Sequence, residues 1–550
     1  MPEQSHRAPL VVGLGGSGHE WATCAALGDR VVAVAEERVT RRKYGLGSDL
    51  LAGHSRKACL ESLAATGGDV TQAVACDLVP RSFTFPLRDR LEVIGHHLAH
   101  AHCAFATSGL ERAAILVVDN AGSILDGAKT GRERAVETVS LFDAGPDGIT
   151  LIERFTGIHR LDAETESDFY QAGATTDSLG HFYRSASLAL GFSFRSPIGG
   201  GVFSEDGKTM GLSPYGDNRY HDEVAALVSL DSASGGLRVD PQAVDAVFAR
   251  CLHKGTFDER AALAAAVQST LETALLHLAR RLHALTGHDA LCIAGGVALN
   301  SVANGRLARE TPFRTVYVPP APSDDGIALG CAAYGLWTRT GRRPRFARSA
   351  YLGPERPATD GAALARDAGL TAERPDDLIA TVAGHLAAGR IVAWFQGRSE
   401  YGPRALGHRS ILALPSPGFV RDKLNHEMKR REWFRPYAPM VPLEATRDYF
   451  DFPGESPHMS FVAPVLRPAD LPAATHVDGT ARLQTVAAED NPRIHALLGE
   501  IGRRTGTPIL LNTSFNRAGE PIVETPAEAL ESARAMTLDL LVVDDWIIPL

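Results

Sequence analysis

Three short apolar runs, residues 10–14, 113–118 and 290–294, each end in an abrupt polar turn. The turns read Gly13-Leu14-Gly15-Gly16-Ser17-Gly18, Asp119-Asn120-Ala121-Gly122 and Gly295-Gly296-Val297-Ala298-Leu299-Asn300. A run this short and this apolar, bounded by turn residues, is a buried strand. After the first turn the strand pattern resumes over residues 22–27, turns at Gly28-Asp29 and returns over 30–35. Helical periodicity fills the intervals, most clearly over 258–285, where Leu, Val and Ala recur at helical spacing. The chain is thereby restricted to an α/β architecture.

At 550 residues it exceeds one ordinary domain and predicts two or three. Residues 338–360 are rich in Arg, Pro and Gly and lack apolar periodicity, so a boundary is expected near residue 345, giving domains 1–345 and 346–550. Beyond it, a helix over 378–389, a strand over 391–395 and strands over 509–511 and 540–543 predict a second α/β unit. No internal repeat is visible. Paired strand–glycine–loop units in the first part suggest the actin-like (ASKHA) ATPase and sugar-kinase fold, two related lobes with nucleotide between them. A net charge of -9 gives no support for nucleic-acid binding. Seven scattered cysteines without a C-x-x-C pair predict reduced thiols in the cytosol. The start shows no signal-peptide pattern, and no stretch reaches the ~18 unbroken apolar residues of a membrane span. A cytoplasmic chain without membrane contact is expected, with a homodimer left open.

Four of the 20 histidines fall in Gly95-His96-His97-Leu98-Ala99-His100-Ala101-His102. On a helix His96 and His100 share a face and can grip one metal. The H-E-x-x-H protease pattern is excluded because no Glu lies between them. Asp119 and Asp324 offer carboxylates, and two His with two Asp suit Fe(II), Mn(II) or Zn(II). The alternative is a surface helix carrying solvated histidines, and His97 and His102 lie off the shared face. Gly295, Gly296 and Asn300 follow a strand and precede a helix, where backbone N–H groups can meet a nucleotide.

The second part is rich in arginine inside motif-like segments. Gly397-Arg398-Ser399-Glu400-Tyr401-Gly402-Pro403-Arg404-Ala405-Leu406-Gly407-His408-Arg409-Ser410 is one; Arg431-Glu432-Trp433-Phe434-Arg435 and the stretch ending at Arg482 are others. Guanidinium groups bind phosphate oxygens bidentately, so such a cluster suits a highly anionic substrate pair. Residues 505–516 form a strand that ends at residue 511 in a polar cluster, Asn512-Thr513-Ser514-Phe515-Asn516.

Together these stretches resemble the NodU/CmcH family of O-carbamoyltransferases, which includes the tobramycin and cephalosporin carbamoyltransferases. Glu36-Glu37-Arg38-Val39-Thr40-Arg41-Arg42-Lys43 and Gly207-Lys208-Thr209-Met210-Gly211-Leu212-Ser213-Pro214-Tyr215-Gly216 match as well. The resemblance implies a threonylcarbamoyl-transferase-like actin-fold domain followed by a YrdC-like domain. It implies iron on His96, His100, Asp119 and Asp324, and nucleotide contacts at Lys43, Gly295, Gly296, Asn300 and Asn512. Arg404, Lys429, Arg435, Arg482 and Ser514 are implied to bind carbamoyl phosphate and the adenylate. His19, Glu205 and Asp206 are the implied catalytic or acceptor-orienting groups. The family's His-Asp loop reads His19-Glu20-Trp21 here. The implied reaction consumes carbamoyl phosphate and Mg-ATP, passes through carbamoyl adenylate and carbamoylates a natural-product hydroxyl in antibiotic biosynthesis. An actin-like small-molecule kinase, with Asp119 as its base, is the alternative.

Overall fold

β1 (Leu10–Gly15), β2 (Ala22–Leu27) and β3 (Arg30–Ala35) form an antiparallel meander. β4 (Gln72–Cys76) and β5 (Leu91–Ile94) then add in parallel on the other side of β1, giving the order β3-β2-β1-β4-β5. The structure is a computed structural model describing residues 8–125, 133–161, 173–195, 202–231, 236–346 and 348–550. The next sheet repeats the plan. β6 (Ala113–Val118), β7 (Glu133–Gly145) and β8 (Gly148–Leu161) form the meander, with the short β9 (Gly173–Thr175) beyond. β10 (Ala290–Ala294) and β11 (Thr315–Tyr317) extend the opposite side in parallel. Two lobes with one topology make the first part actin-like. Beyond the paired strand–glycine–loop units, the duplication leaves no repeat of residue identities, because each central strand needs only to be apolar on both faces, as β1 and β6 are.

The Phe257–Thr286 helix is the backbone of the second lobe. Its start is fixed by a capping box between Thr256 and Glu259, its end by Gly287 in the left-handed conformation. By length and composition it is apolar enough to cross a membrane, yet 78% of its apolar window is buried against the lobe. In the first lobe the Ile327–Thr340 helix lies on β1 and on the His96–Ser108 helix. Gly330 permits this, since a Cβ there would run into the Ala99 carbonyl. All seven cysteines are buried and free.

The described residues between 341 and 360 carry no helix or strand. Beyond them one eight-stranded mixed sheet runs in the order Phe461–Pro464, Thr480–Val486, Ala438–Pro442, Leu510–Ser514, Arg409–Ala413, Val392–Phe395, Leu540–Val543, Trp546–Pro549. The strand expected to stop at residue 511 continues through Ser514, pairing Asn512, Thr513 and Ser514 with Leu412, Ile411 and Ser410. Ladder hydrogen bonds override the turn preference of these polar side chains.

The two parts are tied by arginines that donate to backbone carbonyls. Arg398 reaches Gly353 O (2.6 Å), Val31 O (2.6 Å) and Leu352 O (2.8 Å). Arg38 reaches Glu400 O and Gly402 O, and Arg41 reaches Pro521 O and Ile522 O. Arg398→Ala removes a charged donor from three carbonyls at this junction and should destabilise it by about 2–3 kcal/mol. Urea unfolding followed by tryptophan fluorescence should show an earlier midpoint; an unchanged midpoint would deny Arg398 its structural role.

Candidate active site

His96 and His100 project from the first two turns of the His96–Ser108 helix, and Asp119 stands at the end of β6. Asp324 opens the turn that feeds the Ile327–Thr340 helix, so the packing at Gly330 carries it to the histidines. One ligand atom from each of the four lies within 4.8 Å of the others. His96 Nε2 is 3.3 Å from Asp119 Oδ2 and 3.5 Å from Asp324 Oδ1; His100 Nε2 is 3.4 and 3.6 Å from the same atoms. Two ligands ~2.1 Å from one ion at a tetrahedral angle stand ~3.4 Å apart, so the donor set fits a divalent cation. Both ring nitrogens of His100 are buried without a hydrogen bond, as expected of a nitrogen meant for a metal.

Burial opposes charge here, but the two carboxylates outweigh it and hold the His96 imidazole well above its usual range. Against the same burial, the histidines hold Asp119 and Asp324 below the usual carboxylate range. Neighbours fix the ligands. The His96 backbone N–H donates to Ser123 Oγ (2.8 Å), which donates to Asp77 Oδ1 (3.2 Å), and Ser17 Oγ donates to Asp324. All four histidines of the cluster are buried, so the helix is not a solvated surface element. Burial pushes His97 and His102 down to about 4; His97 meets Ser140, while His102 stands edge-on to Tyr334 and Trp337.

Gly295 and Gly296 adjoin this centre because β10 runs parallel to β6. Gly295 has φ +91°, and a Cβ on it would strike the Val118 carbonyl; a Cβ on Gly296 would come 3.2 Å from Asp119. Asn300 caps the next helix through Ala303 N–H (3.0 Å) and exchanges hydrogen bonds with Gln268. His19 and Glu20 sit on the rim: Glu20 accepts from Ser323 Oγ (2.7 Å), beside Asp324, and stands 3.7 Å from His19 Nδ1. Lys43 Nζ lies 3.6 Å from Glu37 and 4.8 Å from the Tyr44 ring centre. Glu205 pairs with Lys208 (2.6 Å), which also bridges to Glu432 of the second part (2.7 Å). Asp206 opens the helix that carries Lys208.

A second cluster forms around the inner strands Thr480–Val486 and Leu510–Ser514 of the eight-stranded sheet. Arg404, Arg431, Arg435, Arg482 and Lys429 lie within electrostatic reach of one another. Burial and then the Arg435 charge push Arg404 down to about 10, and burial and neighbouring arginines push Arg482 further. Glu432 faces Arg435 at 3.8 Å and Glu520 lies within electrostatic reach of Lys429; the side chains of Arg404 and Arg482 have neither an ion pair nor a hydrogen bond among the described residues. Lys429 Nζ donates to Ser514 O (2.7 Å), Asn516 O (2.7 Å) and Asn516 Oδ1 (2.9 Å). Asn512 donates to Ala405 O (2.9 Å) and Gln484 Oε1 (2.7 Å), leaving its own Oδ1 buried and unbonded. Glu400 Oε1 accepts from the Leu406, His408 and Arg409 N–H groups and shapes the loop that carries Arg404.

The motif arginines therefore divide by task. Arg409 is fully buried and donates to Gln396 O, His408 O and Gly397 O, and Arg398 serves the junction. Arg404 and Arg482 are the ones left open. Sequence reading passed over Ser17, Ser123, Asp77 and Arg431. Ser17 had a signal in its glycine-rich turn after a strand, and Arg431 in the arginine-rich segment that also holds Arg435.

Comparison with known proteins agrees in both parts. The family model described as Carbamoyltransferase N-terminus matches residues 45–333, and that described as Carbamoyltransferase C-terminus matches 383–549. Nodulation protein NolNO of Sinorhizobium fredii is 36% identical over 84% of this chain and 64% of its own length, so the chain spans less than two thirds of that relative. Nodulation protein NolO of Bradyrhizobium diazoefficiens is 36% identical over 83% of this chain and 78% of its own. The 3'-hydroxymethylcephem-O-carbamoyltransferase of Amycolatopsis lactamdurans is 40% identical over 46% of this chain and 48% of its own.

Anaerobically purified protein should carry about one equivalent of a divalent metal, and His96→Ala should lose it. Elemental analysis checks this. Metal retained in full by His96→Ala would remove the tetrad from consideration.

Proposed function

We propose that this chain, which belongs to the carbamoyltransferase family, is an ATP-dependent O-carbamoyltransferase working through two half-reactions at two sites. The observation that carries the reading is the cluster of Arg404, Arg431, Arg435, Arg482 and Lys429, with Glu432 and Glu520 as its acidic neighbours among the described residues. So many desolvated like charges call for a polyanion, as ATP together with carbamoyl phosphate would provide.

In this reading residues 346–550 form a YrdC-like domain. Carbamoyl phosphate loses its phosphate to water and leaves carbamate. A carbamate oxygen attacks the α-phosphorus of ATP, pyrophosphate departs, and carbamoyl adenylate results. Arg404, Lys429, Arg435 and Arg482 hold the phosphates, while Ser514 and Asn512 orient the carbamoyl and adenylate groups.

Residues 1–345 carry out the transfer. An acceptor hydroxyl attacks the carbamoyl carbon, and AMP leaves with the electrons of the broken C–O bond. His19 is assigned as the base, Glu205 and Asp206 orient the acceptor, and Lys43, Gly295, Gly296 and Asn300 meet the nucleotide. His96, His100, Asp119 and Asp324 would hold a divalent ion, iron(II) ahead of manganese or zinc, whose chemistry is Lewis acidity toward a carbonyl. Elsewhere the protein excludes water and aligns the reacting groups. The acceptor is a small-molecule alcohol of the natural-product kind, and the cephem relative's printed name supports oxygen as the acceptor atom.

Arg404→Ala should slow pyrophosphate release from ATP and carbamoyl phosphate. An unpaired phosphate charge in a closed site costs about 2–5 kcal/mol, roughly thirtyfold to several thousandfold in rate. Release close to wild type would count against phosphate recognition here, and ADP as product would favour the kinase reading.

The half-reactions should also separate. His100→Ala should keep releasing pyrophosphate while failing to carbamoylate the acceptor, even when carbamoyl adenylate is supplied. Loss of pyrophosphate release in His100→Ala as complete as in Ser514→Ala would point to one shared site.

A further inference from the structure

Residues 431–435 face both parts of the chain at once. Arg431 and Arg435, at the two ends, lie within electrostatic reach of Lys429 and Arg482 in the cation cluster. The three residues between them address the first part instead. Lys208 Nζ donates to Glu432 Oε1 at 2.7 Å. Trp433 packs on Tyr215 and Phe257, with ring centres 5.2 and 5.8 Å apart, and Phe434 packs on Phe192 and Tyr215 at 6.1 and 6.3 Å. Asn425 Nδ2 donates to the carbonyls of Trp433 (3.3 Å) and Arg435 (3.1 Å), which holds the backbone of the segment in place. Only its charged side chains are left with a choice of partner.

Those side chains alternate in sign across the junction. Glu205 pairs with Lys208 at 2.6 Å, Lys208 with Glu432 at 2.7 Å, and Glu432 with Arg435 at 3.8 Å. Lys208 is 17% exposed, Glu432 27% and Glu205 31%, so salt screens these pairs less than it does surface ones. Both inner members are contested. Lys208 stands almost midway between two carboxylates, and Glu432 between two cations. Glu432 Oε2, the oxygen nearer Arg435, is buried without a hydrogen bond, which makes the Arg435 end the loosest link. At the other end, burial and then the charges of Glu20, Glu37, Glu205 and Asp206 push the Tyr44 phenol up, which puts Glu205 beside the His19–Glu20 loop. Glu20 in turn accepts from Ser323, the neighbour of Asp324. The alternating chain thus runs from the arginine cluster to the rim of the histidine–aspartate centre.

A phosphate arriving at Arg435 competes with the Glu432 carboxylate and adds negative charge on that side of Lys208. Glu432 is then left to Lys208, and Lys208 shifts its hold away from Glu205. Resting on the two-site transferase reading, we propose that Lys208 and Glu432 are positioning residues that couple the sites: an anion in the arginine cluster draws Lys208 off Glu205 and frees that carboxylate for the transfer step. Glu205 is thereby engaged by its own lysine until the phosphates of the first half-reaction are in place.

Coupling of this kind is reciprocal, so it is readable from the anion's side without any acceptor. Pyrophosphate, titrated calorimetrically into the full chain, is the probe. Glu205→Gln leaves Lys208 wholly to Glu432 and should tighten pyrophosphate binding about fivefold. The same change should have no effect in a Lys208→Met background or in a Glu432→Gln background, each of which cuts the chain at a different link. In a Lys208→Arg background the tightening should return, which separates the lost link from a lost fold. Equal tightening with and without Lys208 would reduce the effect to the field of one removed charge and overturn the coupling, as would no tightening at all; either result leaves the phosphate reading of the cluster standing. Wild type that fails to bind pyrophosphate would sink that reading and the coupling together.

Discussion

The first site depends on how closely two helices approach. The Ile327–Thr340 helix reaches the His96–Ser108 helix only because Gly330 has no side chain to place against the Ala99 carbonyl. Widen that contact and Asp324 withdraws from the histidines while Asp119, fixed at the end of β6, stays behind. The four ligands come from three separate places in the chain, so none of the local elements makes the site alone. Two carboxylates buried side by side repel each other and lose hydration, and the imidazoles at 3.3–3.6 Å offset that cost. The centre is thus a buried charge cluster whose stability and chemistry have a single origin in helix packing.

The second site reverses the problem. There the gathered groups are cations, and the fold leaves them largely uncompensated. It can do so because the loop bearing Arg404 is held by Glu400 through backbone N–H groups, and Lys429 is held by Ser514 and Asn516. Rigid support from neutral or distant groups lets the arginines keep unused donors, the preorganisation that anion recognition requires. Lys208, bridging Glu205 and Glu432, links this cluster's surroundings to the other part of the chain.

Much of this was legible in the residues. Strands β6 and β10 follow from apolar runs and polar stops, and the pairing of His96 with His100 from their four-residue spacing, all local signals; the resemblance completed the candidate tetrad with Asp119 and Asp324. The two related lobes showed in the paired strand–glycine–loop units, whereas their strand order did not, because strand order is a property of hydrogen-bond partners and not of side-chain identity. Only the family resemblance, not the residue pattern, set Arg404 apart from Arg398 and Arg409. All four residues from Arg404 to Gly407 and their flanks read as one motif, and only burial and partners divide the arginines that hold carbonyls from those that hold none. The polar end of Leu510–Ser514 was misjudged for a similar reason: pairing with Arg409–Ala413 keeps Asn512 and Thr513 extended.

The junction between the two parts has a property of its own. Arg38, Arg41 and Arg398 address carbonyls of Val31, Leu352, Gly353, Glu400, Gly402, Pro521 and Ile522, and Arg41 adds one side-chain partner, Glu528 at 3.5 Å. What these arginines recognise is the path of the main chain. The contact itself asks no particular side chain of the accepting positions, although Gly353 and Gly402 are held to glycine by close neighbours and Glu400 by its own loop, whereas it fixes the three donors. Drift in sequence can therefore reshape the surfaces around both sites while the spacing between them is preserved.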